Sequence, residues 1–190
     1  MQSTRSENRN TSIFDEDKRE IFLVATSDNH CLCGMIVTRV SSANMLPEDR
    51  RIALILSPHN HTTQALLDRQ QFIVHLLAHD QADLVPTFGL YSSRDIDKFA
   101  SVPYTLDSDN NLPIVDGTCG WARAKLISQM DVGYRLIVLA QIEQETAQSV
   151  RQSLLVQDLA QHLPSAILQE MQRKYIQDVE RDRQMRAQMS

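Results

Sequence analysis

Hydroxyl-bearing residues and cations gather in two short stretches of this chain. Ser41 and Ser42 follow Arg39 in the first, Ser57 and Thr62 lie in the second, and Lys98 offers a further ammonium downstream. With neither a Walker loop nor a dinucleotide Gly-x-Gly-x-x-Gly present, a phosphate must be held by hydroxyls, backbone N–H groups and a cation, and these residues supply them. Thr62 or Thr63 at a helix start adds the positive end of that helix. Other chemistries find less support. His59 and His61 sit on a Pro-containing loop without a clear third ligand and read as polar turn residues, so no metal is expected. Cys31 and Cys33 straddle one residue and Cys119 is remote, which reads as buried or idle thiols rather than a zinc site or a redox pair. His75 and His79 are four apart, but on a strand running into a loop they share no helical face. No Ser or Cys stands in an elbow turn between glycines, and no catalytic side chain is assigned.

These residues need a scaffold, and the apolar pattern describes one. Residues 1–18 are polar and charged around a single aromatic, Phe14, and read as a flexible tail. Short β-branched runs then predict strands at Ile21–Thr26, Met35–Val40, Ile52–Leu56 and Phe72–Leu77, the first two joined by a hairpin through Ser27, Asp28 and Asn29. A short helix capped by Thr62 or Thr63 turns Ala65, Leu66 and Leu67 inward. Residues 79–99 predict two helical pieces broken near Pro86 and Gly89, with Ser93 capping the second. Strands resume at Trp121–Ile127 and Tyr134–Ile142. After Pro164, the residues Ile167, Leu168, Met171, Tyr175, Ile176 and Val179 recur at helical spacing, with Glu170 and Lys174, and Glu180 and Arg183, on a solvated face. The sum is a mainly β domain with peripheral helices at residues 19–146 and a C-terminal amphipathic extension at 147–190 that packs on the barrel or on a partner subunit.

A net charge of -5 gives no general attraction for nucleic acid, and no apolar run is long enough to span a membrane. With no secretory signal in the N-terminal residues and three cysteines in no framework spacing, the expected location is the cytoplasm.

The unbroken run Gly34-Met35-Ile36-Val37-Thr38-Arg39-Val40-Ser41-Ser42-Ala43-Asn44-Met45-Leu46-Pro47 resembles the flavin-binding segment of the flavin reductase-like family. Downstream, the loop Ser57-Pro58-His59-Asn60-His61-Thr62, the pair Asp80-Gln81, the motif Asp97-Lys98-Phe99 and the turn Asp131-Val132-Gly133 follow in the family's order. The resemblance implies an FMN-binding split β-barrel, with FAD a possible substitute, and a homodimer whose flavin lies in a groove at the interface. It implies flavin contacts from Thr38, Arg39, Val40, Ser41, Ser42, Ala43, Ser57, Asn60, Thr62, Lys98 and Phe99. The strand from Met35 with Ala43 and Asn44 suits an isoalloxazine ring, which needs a flat apolar wall and edge-on backbone hydrogen bonds. The activity implied is hydride transfer from NAD(P)H to flavin, with a monooxygenase or another protein as acceptor. Where many members carry a His after the Gly of the Asp-x-Gly turn, this chain has Tyr134 and Arg135. That departure keeps open an FMN-binding electron carrier or redox sensor with little reductase activity, and a pyridoxamine phosphate oxidase type is a third alternative.

Overall fold

The computed structural model describes residues 17–147 and 150–188. Its first hairpin pairs β1 (Phe22–Ser27) with β2 (Leu32–Val37). Asp28 fixes the turn: its Oδ1 accepts hydrogen bonds from the backbone N–H groups of His30 and Cys31, both at 2.7 Å. There follow β3 (Val40–Ser42), β4 (Arg51–Leu56), α1 (His61–Arg69), β5 (Gln71–Leu76), α2 (Leu84–Leu90), β6 (Tyr104–Leu106), β7 (Pro113–Val115), β8 (Gly120–Asp131) and β9 (Leu136–Ala147). The short helix α3 (Leu159–His162) and the long helix α4 (Ser165–Gln188) complete the order.

Seven strands form one antiparallel sheet in the order β2-β1-β5-β8-β9-β4-β3, and β6 and β7 form a separate hairpin. The outermost strands, β2 and β3, are consecutive in the chain, with only Thr38 and Arg39 between them. Three peptide steps reach at most about 11 Å. The sheet must therefore curl until its two edges approach, and the result is the expected split β-barrel with its seam at Thr38 and Arg39.

Alternation along the strands builds two cores. Val24, Met35, Leu54, Phe72 and Val138 fill the barrel. Leu23 and Ala25 point the other way, toward Val85, Phe88, Phe99 and Leu154. β1 is thus buried on both faces, which is why its sequence reads as a continuous apolar run rather than an alternating one. His75 lies fully inside, with Nδ1 3.1 Å from the carbonyl of Leu23 and Nε2 accepting from the N–H of Val115 at 3.1 Å. Both ring nitrogens are satisfied by the neutral tautomer that donates from Nδ1. The imidazole ties β5 to β1 and to the small hairpin.

The structure corrects several local expectations. The segment from Met35 to Val40 is two strands, because the chain leaves one sheet edge at Val37 and joins the other at Val40. The N-cap of α1 is Asn60, and Thr62 and Thr63 lie buried within its first turn. No second helical piece forms before Phe99. Ser92 and Asp97 instead hydrogen-bond the backbone N–H groups of Arg94 and Phe99, holding successive turns, and such short polar side chains compete with helix formation.

Beyond the barrel, an extended strap precedes the C-terminal helices. Leu154 is fully buried and its backbone bonds both Ile21 and Leu77. Leu168 and Met171 pack on the outer core, while Tyr175 and Ile176 remain more than half exposed. Among the described residues, no helix is long and apolar enough to cross a membrane.

Candidate functional site

Where the seam of the barrel opens, a cavity of about 770 Å³ lies between the end of β2, the loop before α1, the end of α2, the β8–β9 turn and α4. That is within the range of sites that take a cofactor-sized molecule, roughly 300–1,000 Å³. Thr38, Arg39, Ser57, Asn60, Thr62 and Lys98 all line it, although they come from three separate stretches of sequence. Topology brings them together: the seam supplies Thr38 and Arg39, and the end of β4 leads through Ser57 into α1.

Ser57 is buried, and its Oγ has no hydrogen-bond partner. An orphaned hydroxyl costs about 1–3 kcal/mol unless something occupies it. It lies beside the N-terminal end of α1, where the helix dipole favours negative charge. The donor set therefore fits a phosphorylated ligand.

Lys98 is almost wholly buried and donates from Nζ to the carbonyls of Gly34 at 2.8 Å and Phe88 at 3.3 Å. Two of its three donors are thereby used. Desolvation pulls its pKa down to about 8, and the charge of Lys174 pushes the same way. Phe99 stands behind the site rather than in it, edge-on to Phe88 at 5.0 Å. A Cβ on Gly34 would lie 2.6 Å from the Phe88 ring, so only glycine lets that aromatic pair close on β2. The Asp97-Lys98-Phe99 motif thus binds α2 to β2 and fixes one wall.

The remaining expected residues lie elsewhere. Val40, Ser41 and Ser42 line a second groove, of about 470 Å³, together with Trp121. The hydroxyls of Ser41 and Ser42 bond the nearby carbonyls of Ser42 and Asn44. Ala43 donates its N–H to the carbonyl of Arg51, extending the β3–β4 ladder.

At the β8–β9 turn, Gly133 has a φ of 89° and donates its N–H to Oδ1 of Asp131 at 2.7 Å, a geometry that a side chain would strain. The turn presents Tyr134 and Arg135 to the cavity, and Arg135 pairs with Asp182 of α4 at 2.5 Å. The sequence reading missed this helix wall. Lys174, Asp178, Arg181 and Asp182 all line the cavity. The available signal was spacing: residues 167, 171, 174, 178 and 182 follow one helical stripe, which turns from apolar to charged halfway along.

On the cavity rim, His61 Nε2 lies 3.0 Å from Oδ2 of Asp28, and Cys31 and Cys33 stand beside them. Burial pushes the Cys33 thiol up to about 12, which rules out a free thiolate nucleophile there at neutral pH.

Residues 18–159 match the flavin reductase like domain family. The chain belongs to that family. It is 28% identical to a flavin reductase of Pseudomonas putida over 125 residues, covering 65% of this chain and 69% of that one. Two solved structures share the fold. The NADH:FAD oxidoreductase of Streptomyces globisporus superposes with a TM-score of 0.66 at 16% identity, covering 73% of this chain and 82% of that one. An FMN-binding protein of Thermus thermophilus gives 0.64 at 17% identity, covering 79% and 82%. As a member of the family, the chain is an oxidoreductase of the flavin reductase type.

Proposed function

We propose that the cavity at the barrel seam binds FMN, with FAD a feasible substitute, and that the protein passes hydride from NAD(P)H to the bound flavin for delivery to a free flavin or an acceptor protein. The observation that carries this reading is the buried, partnerless Ser57 hydroxyl at the N-terminal end of α1. Ser57, Asn60 and Thr62 hold the phosphate end, helped by the α1 dipole, and Lys98 supplies positive charge from the facing wall. Met35 to Thr38 furnish the backbone and apolar surface for the ring. A bound flavin supplies the two-electron chemistry, its N5 accepting hydride from nicotinamide. The protein's own groups bind, orient and exclude water, so no side chain acts as acid or base.

We further infer a homodimer. Ile55, Ile137 and Met130 are cross-strand neighbours in β4, β9 and β8, and all three are exposed. An exposed apolar row of this kind suits a second copy, and Ile55 also lines the cavity, which supports a flavin groove beside that contact.

The test is flavin uptake by absorption and fluorescence. Ser57→Ala should weaken FMN affinity about ten- to a hundredfold, the worth of one hydrogen bond to a charged group, while leaving folding stability unchanged or slightly raised. Unaltered affinity would remove Ser57 from the site.

A second reading is favoured by one contact. Arg135, standing where many members have His, is held by Asp182 of α4, and the helix walls the cavity on that side. On that reading the protein carries electrons through FMN with little reductase turnover of its own. Steady-state oxidation of NADH and NADPH with added FMN separates the two: sustained turnover supports the reductase, and a fully loaded yellow protein without turnover supports the carrier.

A further inference from the structure

Four side chains with metal-binding atoms meet at the rim of the cavity, and the flavin reading uses none of them as a metal ligand. Cys31 closes the β1–β2 turn and Cys33 follows it in β2. Their sulfurs lie 3.8 Å apart, and both cysteines are free. Oδ2 of Asp28 is 3.9 Å from the Cys31 sulfur, and Nδ1 of His61 is 3.9 Å from the Cys33 sulfur. The ligand atoms of Asp28, Cys31 and Cys33 all lie within 4.8 Å of one another.

These separations can be compared with a tetrahedral zinc site. Two thiolates each about 2.3 Å from zinc stand about 3.8 Å apart at the tetrahedral angle. The observed sulfur separation matches that edge, and it is far longer than a disulfide bond of about 2.05 Å. The carboxylate is oriented in advance as well. Its Oδ1 accepts from two backbone N–H groups at 2.7 Å, which leaves Oδ2 turned toward the sulfurs and His61. Cys33 is fully buried, and the Asp28 and His61 side chains are 23% and 14% exposed, so the cluster is sheltered rather than strewn over the surface.

We propose that Asp28, Cys31 and Cys33 form a site for a divalent, thiophilic cation, zinc by preference, with His61, the first residue of α1, orienting the Asp28 carboxylate through its Nε2. Two sulfurs with one carboxylate oxygen select zinc over magnesium or calcium. Three protein ligands leave the fourth tetrahedral position to a water molecule. On binding, the cation forms two metal–sulfur bonds and the two thiol protons pass to solvent, with no change of oxidation state. The consequence reaches the neighbouring cavity, because His61 adjoins Asn60 and Thr62. By fixing the Asp28 carboxylate that His61 contacts at 3.0 Å, the cation steadies the loop that carries them. The sequence reading set zinc aside because Cys31 and Cys33 lacked a further ligand; the fold supplies Asp28 from the same turn.

The test uses the full chain, purified under reducing conditions and without added flavin, so that failure of the metal site and failure of the flavin reading are separate results. Elemental analysis should return one zinc per chain. Cobalt(II) added to metal-free protein should give a sulfur-to-cobalt charge-transfer band in the near ultraviolet and the visible bands of a tetrahedral ion. Both should be lost in the Cys31→Ser/Cys33→Ser double variant and kept in Cys119→Ser. On unmodified protein, where no variant can misfold, two of the three thiols should be shielded from a thiol reagent by zinc and exposed by chelator. A protein with reduced thiols that retains no zinc and gives no thiolate–cobalt band would overturn the proposal. So would a Cys31–Cys33 disulfide in place of metal, or cobalt bands that survive the double variant.

Discussion

Lys98 shows how a single residue couples the scaffold to the site. Its ammonium is held by two carbonyls inside a wall that water scarcely reaches, and burial brings its pKa to about 8, from 10.5. The charge it lends to an anionic ligand therefore depends on pH near neutrality. As pH rises through 8 the free protein loses this cation, and FMN affinity should fall between pH 7 and 9, because the proton that assists binding is no longer there. A bound phosphate favours the charged form and moves the midpoint upward in the complex. Fluorescence titrations at half-unit pH intervals would show the decline in the native protein and a flatter profile in Lys98→Met. A native profile that is flat over this range, once the second ionisation of the phosphate near pH 6 is passed, would show that Lys98 does not reach the ligand. On the proposed reading Ser57 complements this group: Lys98 adds a pH-dependent charge to the pocket, while the orphaned hydroxyl offers one directed hydrogen bond.

At the scale of elements, α4 decides how open the cavity is. It contributes Lys174, Asp178, Arg181 and Asp182 to the wall and holds Arg135 through Asp182. Asp182→Ala should release Arg135 toward an incoming nicotinamide phosphate. The KM for NADPH should fall by roughly two- to fivefold, as expected for one partly buried ion pair, with little change in kcat; an unchanged KM would leave Arg135 a purely structural tether to the helix. Most strands were legible in the sequence because β-branched runs bounded by turn residues have few other solutions, whereas the break between β2 and β3 at Thr38 and Arg39 left no local mark. β6 and β7 were not, since three residues each carry too little pattern. Nor could local reading foresee that residues 92–97 would bond their own backbone in turns. The residues placed at the seam, Thr38, Arg39, Ser57, Asn60, Thr62 and Lys98, were recognisable through the order of motifs, whereas the α4 wall depends on how a distant helix docks, and adjacent sequence does not encode that directly.

For the molecule as a whole, two properties follow from where groups are buried. His75 is fully enclosed as the neutral imidazole, and desolvation lowers its pKa from 6.5 to about 4. Between those values the unfolded chain takes up a proton that the folded chain refuses, so stability is complete above pH 6.5 and falls by about 3 kcal/mol as the solution is acidified to 4. Urea midpoints at pH 7.5 and 5 should show this loss, and His75→Asn, less stable at pH 7.5, should lose less between them. The second property concerns assembly. Ile55 and Ile137 face each other across β4 and β9, and Met130 continues the row on β8, exposed by 41%, 37% and 60%. Bulky apolar side chains aligned on three adjacent strands form a continuous strip rather than scattered surface residues, and covering it would also shield the cavity mouth at Ile55 from water. Sedimentation equilibrium at micromolar concentration should therefore return twice the 21.7 kDa chain mass. Ile137→Lys places a charge at the centre of the strip without touching either core. It should give a folded monomer, and if the flavin groove is completed by the second copy, that monomer should also release FMN at least tenfold more readily, about 1.4 kcal/mol. A monomer that keeps its flavin would confine the site to one chain, and a native protein already monomeric at these concentrations would remove the dimer from the account.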